Sequence, residues 1–154
     1  MGKQSWTGIP KAEITKRLGE LLAVAFVERE ELGPGGTATR IATLDNDAWV
    51  ALEIERSHAR PVHNVLRYWP WMDRTRRRLV VVHAILPDAP QQDGPRTELT
   101  IWTGELMERV LGGRFTYCRV ELGSDAEDAQ LEAALDAVAV LRRPQAARPL
   151  AAVL

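Results

Sequence analysis

The first apolar pattern along the chain is helical. Ile14, Leu18, Leu21, Leu22, Ala25 and Phe26 share one face of a helix predicted from Lys11 to Leu32. Pro10 stands where a first-turn proline is tolerated, and Gly33-Pro34-Gly35-Gly36 stops the helix. The period then changes to two. A strand is expected over Thr37–Leu44, a turn at Asp45-Asn46-Asp47, and a second strand over Ala48–Glu55. In that second strand Ala48, Val50, Leu52 and Ile54 face one way, and Trp49, Ala51, Glu53 and Glu55 the other. The two strands form an antiparallel hairpin. With a two-residue turn at Asp45-Asn46, Leu44 would pair with Asp47 and Glu53 would face Ala38.

Beyond the hairpin, Val62, Val65, Leu66 and Trp69 predict a helix from Pro61 to Trp69, ended by Pro70. Leu79–Leu86 is the most hydrophobic run and reads as a central strand buried on both faces. A loop is expected over Pro87–Pro95, then a strand-like start at Leu99–Trp102 and a short helix over Gly104–Leu111. Phe115–Leu122 alternates as a further strand. Ser124 and Glu127 form a capping box for a last helix to about Leu141. The predicted class is α/β (or α+β): one domain over residues 1–143, a mixed sheet flanked by helices, and a Pro/Ala/Arg-rich tail over 144–154.

Composition narrows this picture. With 154 residues and 45% apolar content, the chain can bury one core. A net charge of -1 says nothing about partners, but its distribution does. Arg56, Arg60, Arg67, Arg74, Arg76, Arg77 and Arg78 crowd the middle, while Glu121, Asp125, Glu127, Asp128, Glu132 and Asp136 crowd the last strand and helix. The middle is suited to an anion. Cys118 is the sole cysteine, expected as an inert buried thiol, and excludes a disulfide or a cysteine zinc site within one chain. No apolar run reaches the ~18 residues of a membrane span, and the first ten residues lack an apolar stretch, so a cytoplasmic protein is expected.

The candidate chemistry lies between Trp49 and Trp71. Glu53 and Glu55 leave one face of a strand, their Cα atoms roughly 6.5–7 Å apart. That spacing lets two carboxylates share a hydrated Mg²⁺ or Mn²⁺, or lets one hold metal while the other orients water. It equally fits the solvated face of an edge strand. Arg56, His58, Arg60, His63, Asn64 and Arg67 then supply donors in one turn-and-helix unit, with Asn64 and Arg67 on one helix face. These donors suit phosphate; they also suit ion pairs with Glu53, Glu55 and the acidic last helix. Trp49, Tyr68, Trp69 and Trp71 are expected in the core, the other use being a base-stacking platform. His83 is expected as a hydrogen-bonded core histidine.

The stretch Ala51-Leu-Glu-Ile-Glu-Arg-Ser-His58, then Asn64-Val-Leu-Arg-Tyr-Trp69, then Leu79-Val-Val-Val-His83 resembles the core of the PD-(D/E)XK nuclease superfamily, the restriction-endonuclease-like fold, over about Lys11 to Leu86. The resemblance implies a Mg²⁺-dependent nuclease domain acting on DNA. It implies Glu53 as metal-binding acid, Glu55 at the family's lysine position, and Asn64 and Arg67 at the polar positions of the following helix; the donors Arg56, His58 and Arg60 are expected to join these two as nucleic-acid contacts. The family also uses an acid on the neighbouring strand. Asp45 and Asp47 stand nearest in sequence, but Asp47 lies about 20 Å from Glu53 along an extended strand. Glu28, on the predicted first helix, is the other supplier. The alternative is a catalytically inactive member of the fold that binds nucleic acid or a protein, including a second copy of itself.

Overall fold

A computed structural model describes residues 5–31, 37–44, 48–55, 65–87 and 94–143. Five strands form one mixed sheet in the order of the chain: β1 Val27–Glu31, β2 Thr37–Thr43, β3 Trp49–Glu55, β4 Leu79–Ile85 and β5 Phe115–Glu121. The first three make an antiparallel meander, and β4 and β5 continue it in parallel. Among the described residues the helices that flank the sheet include α1 Lys11–Leu22, α2 Tyr68–Arg74, α3 Gly94–Leu111 and α4 Glu127–Leu141.

The pleat sorts the core into two layers. Val50, Leu52 and Ile54 of β3 and Val80, Val82 and Ala84 of β4 pack on one face, against Ile14, Leu18 and Leu22 of α1 and Ala134, Val138 and Leu141 of α4. Trp49, Ala51, Leu79 and Val81 pack on the other, against Tyr68, Trp71 and Met72 of α2 and Met107 of α3. This explains the burial of every residue of β3 and of β4 from Leu79 to Ala84: both are central strands covered on both faces. The tryptophans follow the core reading. Trp49 stacks on Trp71, centroids 4.6 Å apart, and the Arg77 guanidinium lies 4.9 Å from the Trp49 ring centroid.

Several elements differ from expectation. The first helix ends at Leu22, where Ala23 turns left-handed (φ 56°), and Val27–Glu31 is a strand rather than helix. The hairpin register is Ile41↔Ala51, one residue from the expected pairing. The Leu44 amide donates to the Ala48 carbonyl, so three residues separate that pair; Asp45, Asn46 and Asp47 themselves lie outside the described residues. Pro70 does not end a helix; it sits in the first turn of α2, where its missing N–H costs nothing. Leu99–Trp102 is not a strand: α3 runs unbroken from Gly94 to Leu111. The last helix begins at Glu127, whose carboxylate accepts from the Gly123 amide, while Ser124 Oγ accepts from Ala126 N–H. The predicted tail over 144–154 lies outside the described residues.

Gly104 sets how closely α3 approaches the sheet. A Cβ there would lie 2.5 Å from Cγ and Cδ2 of the Tyr117 ring. Alanine gains about 1 kcal/mol of helix propensity. Against that, overpacking a filled site costs roughly 1–3 kcal/mol. Gly104→Ala is therefore expected to lower the thermal midpoint; an unchanged or raised midpoint would mean that the ring swings aside freely.

Candidate functional site

The far end of the second face is polar. Within β3, Trp49 and Ala51 are followed on the same side by Glu53 and Glu55. Within β4, Leu79 and Val81 are followed by His83. Parallel register sets Glu53 beside His83 and His83 beside Arg119. Apolar side chains thus fill the amino-terminal half of this face, and titratable ones gather where β3 and β4 end. In open sheets with parallel strands, that carboxyl end is where ligands bind.

The sequence leaves open a solvated edge for Glu53 and Glu55. The structure places both in the interior, at 5% and 2% exposure, on a central strand. Tyr68, from the first turn of α2, donates its hydroxyl to Glu53 Oε1 at 2.5 Å. Burial raises the Glu53 pKa above the ordinary carboxylate value; Arg67, the Tyr68 hydrogen bond, His83 and Arg40 pull the other way without cancelling it. Burial, then the Glu53 charge, raises the Tyr68 phenol well above its ordinary range, so it stays a donor.

Glu55 belongs to a second chain of bonds. Its Oε2 lies 2.7 Å from His83 Nε2, and His83 Nδ1 lies 2.6 Å from the Tyr117 hydroxyl. One neutral imidazole tautomer satisfies both contacts: Nε2–H donates to the carboxylate and Nδ1 accepts from the phenol. Burial raises the Tyr117 phenol, which keeps it a donor. His83 is fully buried, as a core histidine should be, and its partner is one of the two candidate acids. Neighbouring Cys118 faces the opposite layer as a buried thiol, its pKa pushed up to about 12 by burial and then by Glu108.

The remaining candidates divide. Arg67 is half-buried and close enough to act on the Glu53 charge. Arg56, His58, Arg60, His63, Asn64 and Asp47 lie outside the described residues. Glu28 is on β1, not on a helix, opposite Arg40. Among the described residues the β2–β3 ladder ends at Ile41↔Ala51, two residues short of Glu53. No group of three or more His, Cys, Asp or Glu residues among them is placed to hold a metal ion. Arg76–Arg78 precede β4 and so stand at the strand end opposite the carboxylates; Arg78 there donates to the carbonyls of Leu141 and Arg143.

Tyr68 and Tyr117 are the site residues that sequence reasoning missed. The alternation that sets Phe115 and Tyr117 on one side of the strand was the available signal for Tyr117. Nothing in the sequence pairs Tyr68 with Glu53. A scan of known family models and searches of curated proteins and of solved structures give no match to the chain.

Proposed function

We propose that the chain is a divergent Mg²⁺-dependent nuclease of the PD-(D/E)XK type, acting on DNA phosphodiesters. One observation carries this reading: two carboxylates lie inside the protein, on one face of a central strand, at the carboxyl end of the parallel strands. Removing two acids from water is costly, and such sites concentrate where chemistry requires them. α1, the β1–β2–β3 meander, α2 and β4 frame Glu53.

The donors suit Mg²⁺, which prefers hard oxygens and needs only one or two carboxylates because it keeps several waters. Glu53 and Glu55 would hold it. When bound, the ion supplies an acidified water and neutralises charge on the phosphate. Tyr68 orients Glu53, and the His83–Tyr117 chain orients Glu55. Arg67 contributes positive charge toward a phosphate. Among the described residues no helix is long and apolar enough to cross a membrane.

A second reading has its own support. Glu53 and Glu55 each already accept an internal hydrogen bond, and no third described acid joins them. That suits a nuclease-fold subunit that binds nucleic acid or a protein without cutting. Cleavage of plasmid, linear and single-stranded DNA in Mg²⁺ or Mn²⁺ separates the two. The nuclease reading expects metal-dependent cleavage that Glu53→Ala abolishes with the circular dichroism spectrum unchanged. No cleavage, together with no calorimetric metal binding, would overturn it. Salt-dependent DNA affinity without cleavage would favour the second reading.

A further inference from the structure

We propose that the outer face of α3 is a self-association surface on which a second copy of this chain packs antiparallel. The inner side of α3 is fully used: Thr100, Thr103 and Met107 are buried and Gly104 lies against Tyr117. The outer side is nonetheless apolar. Leu99, Trp102 and Val110 are 51%, 53% and 59% exposed, and half-buried Leu106 joins them. On a helix these positions form one stripe. A large exposed aromatic at the centre of such a stripe is the usual anchor of an interface.

Charge says which occupant fits. Glu98 and Arg109 are both exposed and flank Trp102 toward opposite ends of the stripe, roughly 16 Å apart along the axis. A two-fold axis crossing the outer face at the level of Gly104 lays Trp102 over the partner's Leu106. The same rotation brings Glu98 beside the partner's Arg109, and symmetry repeats the pair. A parallel copy would leave Glu98 roughly 16 Å along the axis from the partner's Arg109, so the pair could not form. Glu98 and Glu105 on this face also oppose a phosphate backbone, so a stacked nucleic acid is the poorer occupant. One helix pair lies at the small end of interface sizes, so the dimer should depend on concentration.

The test is sedimentation equilibrium of the full chain over a concentration series. The expected mass rises from that of the 17.2 kDa chain toward twice that value. Trp102→Glu should remain monomeric. Glu98→Arg should weaken the dimer by about tenfold or more, and Glu98→Arg with Arg109→Glu should restore it. These side chains are exposed, so folding should persist, which circular dichroism checks. A wild-type chain monomeric throughout would overturn the proposal. So would a dimer indifferent to Trp102→Glu, a double charge swap that fails to rescue, or a monomer that loses DNA affinity on Trp102→Glu.

Discussion

His83→Ala is expected to destabilise the protein by about 3 kcal/mol, lowering the thermal midpoint by roughly 6–12 °C. The imidazole sits between Glu55 and Tyr117, bonded to both, with no exposure of its own. Removing it leaves a buried carboxyl and a buried phenol without that partner, each costing about 1–3 kcal/mol. It also opens a cavity where the ring stood. His83→Phe separates the two costs, because it restores volume but not the hydrogen bonds. It should stay well below the wild type in thermal denaturation. A His83→Phe chain as stable as the wild type would show that the hydrogen bonds hold nothing.

Glu53→Gln should do the opposite for stability. The folded-state pKa of Glu53 is raised above the ordinary carboxylate value of 4.5, chiefly by burial. A carboxyl raised in this way holds its proton more tightly folded than unfolded. Its contribution is intact below the ordinary pKa and is lost as pH rises toward the folded value. Glutamine carries no such penalty, and its carbonyl still accepts from Tyr68. Near pH 4 the two proteins should melt alike. At pH 7–8 the variant should gain about 0.5–2 kcal/mol, or roughly 1–8 °C. On the proposed nuclease reading, metal-dependent cleavage should fall by about a hundredfold or more. Equal melting curves at both pH values would remove the argument that Glu53 is kept at a cost to the fold.

Most strands were legible from alternation. Trp49–Glu55 and Leu79–Ile85 stand where the period of two and the apolar run put them, because side-chain direction on a strand follows directly from sequence parity. Val27–Glu31 was not legible. Its Glu and Arg residues favour a helix locally, and only pairing with β2 makes it a strand. Leu99–Trp102 failed in the reverse sense: Thr, Ile and Trp favour strands, but the segment lies within α3. For the site, parity gave the shared face of Glu53 and Glu55. It could not give their burial, which depends on β4 arriving alongside and on α2 covering the face. Nor could it give the partners, since His83 and Tyr117 come from strands 28 and 34 residues apart in the chain from their bonded neighbours.

The order of the sheet also has a consequence in time. The β1–β2–β3 meander joins neighbours in sequence and can form early from local contacts. The β3–β4 and β4–β5 pairs are parallel and need long crossovers, so they close late, after paying the entropy of large loops. Glu53 and Glu55 ride on the early strand, and the histidine and tyrosine that enclose them ride on the late ones. Until those strands dock, both acids remain hydrated and charged. Docking of β4 and β5 is thus expected to come late and to strip that hydration from the acids as it encloses them.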